Sequence, residues 1–553
     1  MKKWYWISAG AILLVIILFR VVLPFQDVFT AYGTQINTVD GYYVTRYADA
    51  FPDKLTYDYF INFPDGMPLL TSHTLFQTIL GFLASVFHTD AAMVGAILSP
   101  ILFILTLLVV FVITQTLFKN KVISFIAVGL LAVMPGEIFH RTMLGAADYH
   151  CAEILIMSLF AMFCLLTINS KGWYGRLGFG LLGLITLLVY SPVWAGWPIA
   201  LLILVLTAYC YLIIRTLKWW KLGIIGFTGL VILRLFIFGL PEWAKYGFSN
   251  VVGLFTINAS QLITEEYPLF FTSGWFDFST IFNFFGVTLF IALIGVGMLI
   301  YQVVKYRRGS VLFLLVWTLV MLALTLARRR FDYYFAINVA ILTAYVVVVL
   351  VKHFATTKAV LIKTIVLLSI VIALPLVRAG YQQATSAQGI MPIGWQETTR
   401  WLMEPSGDNE KAYKTGSKYD YGILSWRDYG YWLVGVSHMP VLCSPGNGDD
   451  KLAAQLLTST DIQATKQKLQ ELSLRFVVID EDMVTKKLYP IYVTTQGSLG
   501  DLSLYKDHLN YPNRLSAEDV RQSLMYRLFY GNVDGFGLVF ESSDKKVKVF
   551  GVW

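Results

Sequence analysis

A bundle of membrane-spanning helices followed by one compact, mixed α/β soluble domain is the fold class this sequence predicts. Three observations predict it. Of 553 residues, 57% are hydrophobic and only 14% charged, where a soluble domain carries about a quarter. Apolar runs of roughly twenty residues, the length that crosses a bilayer as a helix, recur as far as residue 377. The charge then changes abruptly: 25 basic and 15 acidic residues precede Ala379, and 18 and 20 follow from it. A boundary near Arg378 therefore divides a membrane domain, residues 1–378, from a soluble domain of ordinary size, residues 379–553. An aromatic content of 15% excludes a disordered chain. Four cysteines in this length exclude a disulfide scaffold. Nothing in the charge pattern points to nucleic acid.

The elements follow in order. The first run starts at Trp4 behind Lys2 and Lys3, and no small-residue cleavage site follows, so it reads as an uncleaved span that begins in the cytoplasm. Further runs lie at 92–116, 123–137, 151–168, 177–192, 195–214, 222–240, 279–304, 310–327, 333–351 and 359–377, making eleven. The stretch 71–88 mixes His73, Thr74 and Gln77 with apolar residues and reads as an amphipathic helix on the membrane surface. In the soluble part, "LRFVVID" and "KKVKVFGVW" read as strands and "DIQATKQKLQELS" as a helix. The N-terminus and the connections 117–122, 169–176, 215–221, 305–309 and 352–358, with Lys363, hold fifteen Lys and Arg and no acid. The positive-inside rule puts these in the cytoplasm. An odd number of spans then sets the soluble domain on the outer side of the cell membrane.

All fifteen acids of the membrane domain fall on that outer side. Long outer loops account for part of this, but a charge at the end of a span is costly and usually functional. In "NTVDGYYVTRYADAFPD", Asp40 precedes Gly41, and taken alone reads as a turn residue. In "FHRTMLGAADYHCAE", Asp148 and His150 stand one residue apart beside Arg141 and Glu153. Carboxylate with imidazole suits Mn²⁺ or Mg²⁺, though the pair alone is a weak signal. In "ASQLITEEYPLFF", Glu265 and Glu266 sit in a long outer loop, and such loops are often functional. In "LARRRFDYYF", Arg328, Arg329 and Arg330 lie outside, against the charge rule. They form either a snorkelling belt or, the reading the reversed sign favours, an anion site for a phosphate. From these residues alone, a metal-assisted transferase using a phosphorylated lipid and a transporter of anionic lipids both stay open.

The soluble domain narrows the choice. "SWRDYGYW" at 425–432 resembles the WWDYG signature of oligosaccharyltransferase catalytic subunits of the single-chain archaeal and bacterial type. "IDEDMVTK" is similar to that family's D-x-x-M-x-x-K motif through Asp480, Met483 and Lys486. "VDGYY", "RTMLGAADYH", "VYSPVWAG", "LITEEYP" and "RRRFDYY" resemble its membrane-half motifs, in its order.

The resemblance implies a GT-C-type membrane domain of about thirteen spans, two of them hidden, most plausibly within 223–278. It implies transfer of an oligosaccharide, with inversion, from a polyprenyl (pyro)phosphate to the asparagine amide of N-x-S/T sequons. It assigns Asp40, Asp148 and His150 to the metal, and Asp40 and Glu265 to freeing the amide nitrogen from conjugation. Arg141 positions a carboxylate or pairs with one. Arg330, Arg329 and Tyr190 go to the donor phosphate, and Trp426, Arg427, Asp428, Asp480, Met483 and Lys486 to the sequon. No partner subunit is implied. Arg427 replaces the usual second Trp, keeping a flat donor face but losing apolar wall. The competing readings are another polyprenyl-phosphate-sugar glycosyltransferase and a flippase for lipid-linked oligosaccharide.

Overall fold

The computed structural model describes residues 2–553 except 54, 69–73, 217–268, 270, 273–274, 277, 387–388, 404–408 and 496–516. Glu265, Glu266, the run 222–240 and nearly all of 223–278 lie outside the described residues. The remaining ten apolar runs are helical. In chain order the principal helices are α1 (Lys2–Ile17), α2 (Val39–Ala48), α3 (Thr74–Phe87), α4 (Ala91–Phe118), α5 (Lys121–Val133), α6 (His150–Asn169) and α7 (Trp173–Tyr190). They continue as α8 (Pro198–Thr216), α9 (Thr288–Tyr306), α10 (Gly309–Ala327), α11 (Asp332–Phe354) and α12 (Lys358–Thr385). Among the described residues eight helices are long and apolar enough to cross a membrane, while α5 and α8 are shorter.

Local chemistry sets their ends. Asp90 accepts from the Met93 amide at the start of α4, Asn120 from Val122 before α5, and Thr357 from Val360 before α12, each relieving an orphan donor of the first turn. The run 123–137 stops at Val133 because Pro135 forces the preceding Met134 into an extended conformation. The run 279–304 divides into a short helix, Ser279–Phe285, and α9. Gly286, at φ +53°, makes the break. Helix α11 is buried on every side from Asp332 to Val348, as a helix apolar all round must be, and α5, α9, α10 and α12 pack against it. Helix α3 seats Phe76, Leu80 and Ala84 against α2 and α4 and turns Ile79, Phe82 and Val86 outward, the two faces of an amphipathic helix.

Helix α12 runs past Arg378 to Thr385 before the soluble domain's first helix, α13 (Ile393–Met403). Strands β1 (Gly422–Leu424), β2 (Leu474–Asp480), β3 (Phe536–Glu541) and β4 (Val547–Val552) form one sheet in the order β3-β4-β2-β1. The β2–β1 pair is parallel and the others antiparallel, with Val477 opposite Phe550. Both expected strands and the expected helix, Ile462–Glu471, are present.

The first outer loop does not stay with the membrane half. Val441 donates to Phe60 O at 2.9 Å and accepts from the Phe63 amide at 2.9 Å. Ile61 thereby pairs in parallel with Val441, which also bridges Ile423 of β1. Phe60, Ile61, Phe63 and Tyr42 are buried in the soluble domain's own core.

Candidate active site

The predicted carboxylate–histidine pair lies where α6 begins. His150 Nε2 is 3.5 Å from Asp148 Oδ2, and both residues are buried. On the other side of the ring, Nδ1 lies 3.0 Å from Glu153 Oε2, one helical turn along α6. That same oxygen accepts from the hydroxyls of Tyr333 at 3.1 Å and Tyr334 at 2.9 Å. Tyr334 in turn meets the Tyr190 hydroxyl at 2.7 Å. A buried polar relay thus runs from the end of α7 through α11 to the pair at the head of α6.

Arginines close the relay. Arg141, 4% exposed, lies 3.4 Å from Asp148 Oδ2 and 3.1 Å from Glu137 Oε2. It therefore pairs with both Asp148 and Glu137. Asp332 Oδ2 accepts from the Glu137 amide at 3.1 Å. Gly136 is required between them: its φ is +89°, and a Cβ would stand 2.8 Å from Asp332 Oδ2. Gln383, at the end of α12, clamps the same glycine through its amide at 3.1 Å and its carbonyl at 3.0 Å. Arg20 stands in a π-helical turn, Leu18–Val22, that extends α1. It is fully buried and donates to Phe139 O at 2.9 Å and Thr142 Oγ1 at 2.6 Å, between the rings of Phe103 and Phe139. It pins the turn that carries Glu137 and Arg141.

The two predicted donor arginines face different neighbours. Arg330 lies within electrostatic reach of Glu153, Tyr149 and Tyr333. Arg329 caps the Phe284 ring at 4.5 Å and lines a polar cavity of about 300 Å³ with Glu137, His140, Gln382 and Gln383. Tyr190 is 1% exposed, its hydroxyl on Tyr334. Asp40 lies in the first turn of α2, exposed, within electrostatic reach of Tyr149 and Tyr431.

Among the described residues, no three of His, Cys, Asp and Glu converge closely enough to hold a cation. Asp148 and His150 are a two-donor half, and Asp40 stands apart from it. The donor types, two carboxylates and an imidazole, fit a hard divalent cation. Beside the pair, Glu153 Oε1 is buried and takes no hydrogen bond among the described residues.

On the soluble domain, Trp426 and Met483 are inside the core, at 1% and 0% exposure. Asp480 accepts from Trp395 Nε1 at 3.0 Å and from the Met483 amide at 2.9 Å, ending β2 and starting a short helix. Burial pushes its carboxyl above the usual range, against the pull of Tyr429, Trp395 and the Met483 amide. Arg427 turns to Asp450 at 2.8 Å, with Asp428 3.7 Å from its Nε. Burial raises the Asp450 carboxyl, and Arg427 opposes the rise. Asp428, 40% exposed, takes Lys487 Nζ at 2.9 Å. Lys486 points to solvent, 78% exposed, paired with Asp482 at 2.8 Å.

Lys487, Tyr333 and Tyr334 touch predicted site residues and were not named by motif reading, which named Glu153 without a role. The adjacent lysines of "VTKK" were one signal. Glu153, one helical turn beyond His150, was the other.

No known family model matches the chain. Two dolichyl-phosphooligosaccharide-protein glycotransferases of Archaeoglobus fulgidus are similar to it. Glycotransferase 3 is 23% identical over 90% of this chain and 72% of its own. Glycotransferase 1 is 23% identical over 97% and 98%. The apo oligosaccharyltransferase of A. fulgidus shares the fold with a TM-score of 0.82, at 20% identity, covering 98% of this chain and 80% of that one. A structure of that enzyme with Zn and sulfate gives 0.75 at 19%, covering 97% and 79%. The ArnT protein of Cupriavidus metallidurans gives 0.54 at 12%, covering 100% and 98%. The chain is thus similar, along nearly its whole length, to archaeal dolichyl-phosphooligosaccharide-protein glycotransferases, the family that its motifs resemble.

Proposed function

We propose that the chain moves an oligosaccharide from a polyprenyl (pyro)phosphate donor to the asparagine side chain of N-x-S/T sequons, with inversion. One observation carries this reading. Helix α14 (Gly430–Gly435), the continuation of the Ser425–Tyr429 segment, packs on α2, whose first turn holds Asp40. Tyr431 meets Tyr43 at 5.2 Å between ring centroids, and a Cβ on Gly435 would stand 3.2 Å from Tyr42. An acceptor held by the first element is thereby delivered to the second.

The chemistry is a single displacement. An amide nitrogen is a poor nucleophile because its lone pair is delocalised into the carbonyl. Asp40 and Glu265 accept its two N–H groups and turn it out of conjugation. The nitrogen attacks the anomeric carbon, the C–O bond to the phosphate breaks, and that electron pair leaves on the phosphate oxygen. The amide proton passes to a carboxylate. Arg330 and Arg329 hold the leaving phosphate, stabilising the charge that develops, and Tyr190 supports that side. Asp40, Asp148 and His150 would hold Mn²⁺ or Mg²⁺, as the relative with bound Zn supports. A divalent ion there offsets carboxylate repulsion and supplies positive charge to the phosphate. Arg141 keeps Asp148 in place.

Asp428, backed by Lys487, accepts from the sequon hydroxyl. Trp426 and Met483 form the apolar floor beneath it, Asp480 holds that floor to Trp395, and Arg427 borders it, with Lys486 outside at its rim. The charge asymmetry of the loops supports a multi-pass cell-membrane protein with a cytoplasmic N-terminus and an extracytoplasmic site. The fold shared with ArnT, which is also solved with bound undecaprenyl phosphate at a TM-score of 0.52, keeps as second reading another polyprenyl-phosphate-sugar transferase. The test is transfer to a fluorescent N-x-T peptide in detergent, with lipid-linked oligosaccharide and Mn²⁺, then with chelator. Metal-dependent transfer abolished by Asp40→Ala is expected. Donor consumption without peptide product would favour the second reading instead.

A further inference from the structure

Glu153 belongs to none of the motifs, yet three polar side chains meet it. It is 0% exposed. A carboxylate sealed among membrane helices costs several kcal/mol unless donors compensate it. Two hydroxyl donors converge on one of its oxygens, Tyr333 at 3.1 Å and Tyr334 at 2.9 Å, and His150 Nδ1 lies 3.0 Å from the same oxygen. That arrangement calls for an acceptor at Oε2. With Glu153 accepting, the His150 proton sits on Nδ1, so Nε2 carries the lone pair. Nε2 is the nitrogen that faces Asp148, at 3.5 Å. The Tyr334 hydroxyl is shared with Tyr190 at the end of α7, and the Tyr333 hydroxyl also approaches His150 Nδ1 at 3.5 Å.

We propose that Glu153 is a positioning residue that fixes the tautomer and rotation of His150, and that Tyr333 and Tyr334 hold Glu153 for this task. Tyr190 then acts on the site through Tyr334 rather than by touching the donor. The inference rests on the assignment of His150 as a metal ligand. A ligating imidazole commonly donates its other N–H to a carboxylate, and removing that partner typically weakens metal binding by about 10- to 100-fold. Replacing one of several donors to the carboxylate has a smaller effect.

The experiment is a Mn²⁺ titration of the purified full-length protein in detergent, followed by electron paramagnetic resonance, alongside thermal unfolding. Glu153→Gln is expected to weaken Mn²⁺ binding by about 10- to 100-fold. Tyr334→Phe and Tyr333→Phe, which leave the carboxylate in place, are expected to weaken it by a smaller factor, about two- to fivefold. These two keep the test decisive if Glu153→Gln does not fold. A merely structural role would lower the unfolding temperature and leave the affinity of the folded protein unchanged. Equal Mn²⁺ affinity across parent and folded variants therefore overturns this inference while leaving the proposed transfer reaction intact. A parent that binds no Mn²⁺ overturns the inference together with the metal assignment.

Discussion

At the head of the membrane helices the charges are sealed in. Arg20, Arg141, Asp148, His150, Glu153 and Asp332 are each at most 4% exposed, and their partners come from α6, α11 and the segment between α5 and α6. At the edge of the soluble domain beside Trp426, the charges of Arg427, Asp428, Asp450 and Lys487 are 17–40% exposed and pair with one another near the surface. The first group has one arrangement, because a displaced buried charge finds no water to replace its partner. The second can exchange a partner for water or for a passing hydroxyl at little cost. Chemistry that must align several groups at one carbon suits the first kind of site. Reading many different polypeptides suits the second.

Three changes sharpen or break this contrast, and the largest lies on the seam between the two regions. Arg46 is 1% exposed, pairs with fully buried Asp58 at 3.4 Å and lies 3.8 Å over the Tyr413 ring. Arg46→Met leaves Asp58 buried without its cation and should cost about 3 kcal/mol or more, read by denaturant or thermal unfolding in detergent. A cost like that of a surface pair would erase the distinction between sealed and open charge.

Next is a pH effect at the same seam. Asp49 accepts from the Ala91 amide at 3.0 Å, and burial pushes its carboxyl up to about 6. The folded value lies above the unfolded one of about 3.9. Its contribution to stability is therefore complete below about pH 4 and lost as pH rises through about 6. Unfolding temperatures of the parent should contain a component that falls across that window and is missing in Asp49→Asn. An identical profile in both proteins would count against a buried Asp49.

The smallest effect separates neighbouring lysines. Lys487→Ala should raise the peptide KM by up to about fivefold, the worth of one exposed ion pair, with kcat little changed. Lys486→Ala should change neither. The opposite ranking would return the acceptor role to Lys486.

Much of this was legible in the sequence. Span positions follow from apolar run length, and the domain change from charge density. Asp148, His150 and Arg141 stood out because charged residues at the end of a span need a reason. Lys487 was not legible, because a motif spacing does not say which of two adjacent lysines turns toward Asp428 after the short helix at 481–484. Glu153 was visible beside Asp148 and His150, but with no role attached to it. Its meaning depends on Tyr333 and Tyr334, which lie 180 and 181 residues away. Long-range partners of this kind carry no local signal. Nor does anything around "YFINFP" announce that Ile61 extends a sheet edge near residue 441.

That pairing bears on how the molecule is made. Residues near 60 leave the ribosome long before residue 441 exists, yet the two complete one core. Contacts of such sequence separation form late, after their loop-closure entropy has been met. During synthesis, Phe60, Ile61 and Phe63 therefore wait uncovered at the membrane surface, where a neighbouring strand edge could capture them. The C-terminal domain made alone would lack the same three side chains and present an open seam in their place. Co-expression with a peptide spanning residues 55–68 is a direct way to close it.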